Sequence, residues 1–170
     1  MMLHICASDN KSSLTNVKDV DIQPNAVDLR LSKIFTINTT PFVIGEDDNG
    51  KETKQHRGSL ELEPDANGYF TLSPGTYEIV MKNIINVGAD EAGWVITRST
   101  LNRNGLFITS GLYDSGYNGV MAGALHVTRG DAKIRKGTRV GQFLLFKSQS
   151  LKKYDGDYGV NKEHDKKYGV

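Results

Sequence analysis

The sequence predicts an all-β fold, a barrel or jelly-roll-like sandwich, and three observations predict it. Its apolar runs are short and drawn largely from Val, Ile, Thr, Phe and Tyr, the residues that suit a pleated surface. Glycine, 18 of 170 residues, punctuates those runs at close spacing. Helical periodicity is nearly absent. Ten or so short strands joined by tight turns are best buried as a closed or two-layered β structure.

In chain order, residues 1–20 are polar with scattered apolar positions and read as a short helix or an arm. Val27 to Leu31 alternates apolar and charged residues as a half-buried strand does, and Ile34 to Ile37 continues in that style. Residues 44–58 are almost wholly polar and read as a mobile loop or hairpin tip. Gly45, Gly50 and Lys51 there have the spacing of a phosphate-binding P-loop, but the match is a decoy. Glu52 stands where a hydroxyl would hold magnesium, and Glu46, Asp47 and Asp48 put negative charge where phosphate would sit.

Strand signals return at Leu60–Glu63, Tyr69–Leu72 and Tyr77–Met81, with a tight turn at Pro74-Gly75 between the last two. Asn83–Val87, Trp94–Thr97, Val120–Val127, Ala132–Ile134 and Arg139–Phe146 follow. From Ser148 the periodicity is lost. This divides the chain into a β domain, residues 1–147, and a flexible tail, residues 148–170. The tail reads more readily as a frayed terminus than as a flap, although Tyr154, Tyr158, Tyr168 and its lysines would suit a flap over a ligand.

Composition narrows the function. A chain of this length is one domain with room for a real core. A formal charge of +1 gives no global field for nucleic acid or a membrane surface, so any anion must meet a local cluster. Cys6 is the only cysteine, which excludes an internal disulfide framework and a multi-cysteine zinc site. No apolar run approaches the roughly 20 residues of a membrane span. The start also lacks the flanks of a signal peptide, so a cytoplasmic location is expected.

The stretch richest in chemistry is Gly93–Gly119. Arg98, Ser99, Thr100 and Arg103 lie on a basic, hydroxyl-rich turn; Asp114 and Tyr117 lie on an acidic, glycine-rich one. Guanidinium forks and hydroxyls suit phosphate oxygens, a carboxylate can serve as a general base, and an aromatic can pack on a sugar or base. Taken alone, the same residues also read as a solvated turn, a capping aspartate and a half-buried strand aromatic.

Four segments in order resemble one family. Ile22 to Leu31 is similar to its early strand with an Asp-Leu pair. Gly93-Trp94 followed by Arg98 to Leu106 resembles the deaminase-type Arg-Ser-Ser-Leu-x-Arg-x-Gly-Leu motif. Gly111 to Gly119 is similar to the Gly-x-Ile-Asp-x-x-Tyr-x-Gly motif of dUTPases, and Gly137 to Gln142 to the Gly-x-Arg-(Ile/Leu)-(Ala/Gly)-Gln strand. On these segments the chain resembles the trimeric dUTPase and dCTP deaminase superfamily.

The resemblance implies a distorted jelly roll of the dUTPase-like β-clip type. It also implies a homotrimer with nucleotide sites between subunits, and conversion of dUTP to dUMP and pyrophosphate with Mg2+. Arg98, Ser99 and Gln142 would hold the triphosphate, with Thr100 beside them and Arg103 at the position deaminases use near the base. Asp114 would activate water for attack on the α-phosphorus, and Tyr117 would pack on the deoxyribose. Gly111 and Tyr113 belong to the Leu106–Tyr113 hairpin whose backbone reads the base in the family. That interval is shorter here, which leaves uracil, cytosine or a modified pyrimidine open. Asp28 would be a structural carboxylate or reach the metal through water.

Deaminases of the superfamily carry a catalytic glutamate where this chain has Ala124, and the strand from Val120 to Val127 has no Asp or Glu. Hydrolysis is therefore expected. The alternatives are dCTP deamination, alone or coupled to hydrolysis, and a catalytically silent nucleotide-binding or regulatory protein of the same fold. A compact, divergent chain of this kind would suit a virus or phage acting in host cytoplasm.

Overall fold

A computed structural model of the chain describes residues 1–170. Residues 1–20 form an arm rather than a regular α-helix. β1 (Met2–Leu3) and β2 (Ser13–Leu14) are two-residue strands on the body, and a single 3-10 turn follows at Asp19–Asp21.

β3 (Val27–Ile37) joins two runs that the sequence separates into two strands. Its register shifts between Leu31 and Lys33, which bends the strand without ending it. β4 (Val43–Glu46) and β5 (Glu52–Gln55) make an exposed hairpin with no helix behind it, so the P-loop spacing is accidental. β6 (Ser59–Glu61) returns to pair with the end of β3.

β7 (Tyr69–Leu72) and β8 (Gly75–Asn86) are joined at Pro74-Gly75, but they do not pair with each other. β7 leaves to pair with β13. After β8 come β9 (Glu91–Thr97), the one-turn helix α1 (Ser99–Arg103), β10 (Leu106–Thr109), β11 (Leu112–Tyr113) and β12 (Asn118–Val127). β13 (Ala132–Arg135) and β14 (Arg139–Lys147) complete the strands.

The main sheet runs β10-β12-β8-β3-β14-β9-β11. Its curl comes from β3, whose first half pairs with β14 and whose second half pairs with β8. The two halves fold over one core, giving the distorted jelly roll that the strand pattern and the resemblance imply. Leu29, Leu31, Ile34, Ile79, Met81, Met121, Leu125, Phe143 and Leu145 fill it, each at most 2% exposed. Burying one such side chain contributes about 1.5–3 kcal/mol, set against the entropy of ordering the chain. Gly93 is required there: a Cβ would stand 2.0 Å from Cζ of Phe143.

Residues 148–170 hold no strand but pack on the outer face of β3, β8 and β12. Tyr168 sits among Phe35, Val80 and Val120, and its ring meets that of Phe35 edge-on at 5.9 Å. Asp165, 1% exposed, accepts a hydrogen bond from Gly159 N at 2.7 Å.

Candidate active site

The first cluster is built on Asp28. Its position in β3 is opposite Gln142 of β14, and β14 in turn lies against β9, whose end delivers Arg98. Asp28 is fully buried, and its carboxylate is held from three sides. Gln142 Nε2 donates to Oδ1 at 3.0 Å, Arg139 Nη1 donates to Oδ2 at 3.2 Å, and Arg98 Nε lies 3.3 Å from Oδ2.

Two guanidiniums on one carboxylate leave a net +1. Their side chains stay 27% and 30% exposed, so the heads are fixed by the buried charge and open to solvent on the other side. Guanidiniums held this way have the geometry to receive an anion. Ser99, Thr100 and Arg103 follow on the exposed surface of α1. Arg139, outside the residues singled out from sequence, proves equal to Arg98 here.

The second cluster lies at the other end of β9. Tyr113 pairs across from Gly93, and Arg98 comes five residues later, about 16 Å along the strand. Tyr113 and Tyr117 are 7% and 6% exposed, with rings 5.3 Å apart. Tyr113 Oη donates to the Ala122 carbonyl at 3.1 Å and Tyr117 Oη to the Val120 carbonyl at 2.7 Å. Burial, first of all, pushes both phenols well above the usual tyrosine range.

Asp114 is exposed. It faces a depression of about 750 Å3 formed with Ser148 to Gly156 of the tail, next to the tyrosines rather than among them. Within one chain, Asp114 and Arg98 do not meet.

The stretch Leu106–Tyr113 does not form the expected hairpin. β10 pairs with β12 and β11 pairs with β9, because the short link Ser110-Gly111 sends the two strands to opposite neighbours. Thr109 consequently lies opposite Ala124 on one side of β12.

On the other side of Ala124 lies Glu78, its direct partner in the β8–β12 ladder. The expectation that no acid is near Ala124 is therefore wrong. Residues opposite each other across a ladder project on the same face with Cβ atoms about 5 Å apart. Glu78 lines a cavity of about 640 Å3 together with Gly111, Tyr113, Tyr117 and Ala124.

The tail walls the cavity on its open side. Tyr168 Oη donates to Glu78 Oε1, and Lys167 Nζ to Glu78 Oε2 at 2.7 Å. Burial and then the Glu78 carboxylate push the Tyr168 phenol up. His164 stands edge-on to Tyr158, and its ring centre is 5.0 Å from that of His56 on the barrel side. Glu78 and His164 were not singled out from sequence; Tyr168 and the tail lysines were named there only as suiting a flap. Glu78 carried a signal of its own, as the one charge inside the run Tyr77–Met81.

The residues do not fit a protein-held metal. Asp28 has both oxygens taken by donors, and no group of three His, Cys, Asp or Glu side chains gathers anywhere in the chain.

A family model described as dCTP deaminase-like matches residues 3–148. The chain belongs to the dCTP deaminase-like family. Its relatives in sequence include a Methanococcoides burtonii protein named "probable deoxyuridine 5′-triphosphate nucleotidohydrolase", 29% identical over 154 residues and 88% of each chain. A Halobacterium salinarum protein of the same name is 31% identical over 142 residues, 84% of this chain and 85% of its own.

Among solved structures, the 2′-deoxycytidine 5′-triphosphate deaminase of Agrobacterium tumefaciens superposes with a TM-score of 0.57 at 17% identity. The match covers 79% of this chain and 43% of that one, and it shows the shared fold of the family. The two sequence relatives are archaeal and lend no support to a viral source. No helix of this family member is long and apolar enough to cross a membrane.

Proposed function

We propose that this chain is a deoxynucleoside triphosphate pyrophosphohydrolase that converts dUTP to dUMP and pyrophosphate in the cytoplasm. The observation that carries the reading is the buried Asp28 holding Arg98 and Arg139 open to solvent, a paired-guanidinium clamp suited to phosphate oxygens. The names of the archaeal relatives support uracil as the base.

In this reading Arg98 and Arg139 grip the phosphates, with Ser99, Thr100, Arg103 and the Gln142 edge beside them. The cavity of Gly111, Tyr113 and Tyr117 receives the nucleoside. Asp114 accepts a proton from water as its oxygen bonds to the α-phosphorus. The bond from that phosphorus to the bridging oxygen breaks, and pyrophosphate leaves. Magnesium enters with the triphosphate as part of the substrate.

The 16 Å between clusters implies that a full site needs two copies, the clamp of one chain facing Asp114 and Tyr117 of another. A homotrimer follows from the resemblance. Trp94 and Leu112, 48% and 60% exposed and paired across the sheet's end, offer an apolar surface for the contact. Light scattering of the purified protein tests the assembly, and pyrophosphate release from a deoxynucleoside triphosphate panel tests the reaction. Deamination of dCTP is the second reading, favoured by Glu78 opposite Ala124; ammonia release would establish it.

A further inference from the structure

We propose that Glu78 reads the base of the bound nucleotide, with Lys167 and Tyr168 of the tail completing the reading edge. The inference rests on the reading that the cavity beside Tyr113 and Tyr117 receives the nucleoside.

The barrel side of the cavity is otherwise short of groups that can read a base, while the tail adds Tyr154, Tyr158, His164 and Asp165 beside Lys167 and Tyr168. The hydroxyls of Tyr113 and Tyr117 donate to the carbonyls of Ala122 and Val120. Val120, Ala122, Gly123 and Ala124 carry no polar side-chain atom; β12 has a ladder on both sides over Ala124–Val127, and the Ala122 and Val120 carbonyls already accept from the two tyrosines. His56 and Arg57, from the exposed segment between β5 and β6, and Ser59, the first residue of β6, line the cavity at its rim. Glu78 is the acidic group of the barrel wall, rooted on a central strand, 18% exposed at its side chain.

Its partners make it a two-letter reader. A carboxylate only accepts hydrogen bonds, an ammonium only donates, and a phenol does either. Glu78 and Lys167, 2.7 Å apart, set an acceptor beside a donor. The edge of a pyrimidine has the complementary form, because N3 and the substituent at C4 always have opposite polarity. Uracil fits with N3–H donating to Glu78 and O4 accepting from Lys167. Cytosine needs the two partners exchanged, and a carboxylate fixed on β8 cannot change places with a lysine on the tail. The ligand class is a pyrimidine nucleotide with one donor–acceptor order, and the tail is part of its base site.

The test is calorimetric binding of α,β-imido dUTP and α,β-imido dCTP to wild type, Glu78→Gln and Lys167→Met, with inorganic triphosphate as the base-free control. Glu78→Gln should change the ratio of the two nucleotide affinities by about tenfold or more and leave triphosphate binding within twofold. Lys167→Met should move the same ratio, and it carries the test if Glu78→Gln does not fold. A ratio unmoved in both variants, or an equal loss for both nucleotides, overturns the proposal.

Pyrophosphate release from dUTP by wild type is scored separately. Release with a ratio indifferent to Glu78 sinks the base-reading role alone. A ratio set by Glu78 with no release sinks the hydrolase reading alone. Failure of wild type to bind either analogue sinks both.

Discussion

Replacing Asp28 by Asn tests the clamp at its root. The change keeps size and shape but removes the one negative charge under Arg98 and Arg139, taking the cluster from +1 to +2. It also puts an –NH2 in the cluster, where Arg98 and Arg139 only donate and Gln142 must flip its amide to accept. Asp28 is fully buried, while the guanidinium side chains are 27% and 30% exposed, so solvent recovers only part of the loss. Breaking a buried pair by removing one partner costs about 3–5 kcal/mol. In a domain of this size about 2–4 °C of Tm goes with each kcal/mol, so a fall of about 6–20 °C is expected in a thermal melt. Triphosphate affinity should fall with it, since both guanidiniums lose their anchor. A melting point within about 2 °C of wild type would refute the claim that Asp28 organises this end of the barrel.

The other predictions concern single residues. Asp114→Ala should lower kcat for pyrophosphate release by about 10²–10⁴ with little change in nucleotide binding; an unchanged kcat removes Asp114 from the chemistry. Gly93→Ala should destabilise by about 1–3 kcal/mol or more, read as a lower urea midpoint, because its methyl would stand in the Phe143 ring.

Tail packing should depend on pH through His56. Burial first, then the charges of His164, Lys54 and Lys167, hold its imidazole below the usual histidine range, so the packed tail favours the neutral ring. A depressed folded pKa means that this support is complete above about pH 7.5 and is lost as pH falls through about 6.5 and below. Amides of residues 158–168 should therefore exchange faster at about pH 5.5 than at about pH 7.5 once intrinsic rates are divided out. Equal protection at both would show that His56 does not couple to the tail.

Much of the barrel was legible because alternation writes itself into each strand. Val27–Leu31, Tyr69–Leu72 and Val120–Val127 all lie in strands, with Val27, Leu29, Leu31, Phe70, Leu72, Met121, Leu125 and Val127 in the core. Register was not legible, and register is what makes the site. Asp28 meets Gln142, and Glu78 meets Ala124, only through pairings between strands far apart in sequence. The same limit hid the parting of β10 from β11 and the split of β7 from β8. The tail was opaque for another reason. It is held by single contacts, Val160 N to the Asn118 carbonyl and Tyr168 to Glu78, which leave no periodic trace. Arg98, Asp114 and Tyr117 were visible as motifs, but the distance between them in one chain was not.

The central claim is water attack at the α-phosphorus of dUTP, and isotope placement tests it most directly. Wild-type protein is incubated with dUTP in water enriched in oxygen-18, and the products are resolved by mass spectrometry. One heavy oxygen in dUMP and none in pyrophosphate is the expected result. Heavy oxygen in pyrophosphate or inorganic phosphate, or intact dUTP after complete saturation of the protein, would contradict it.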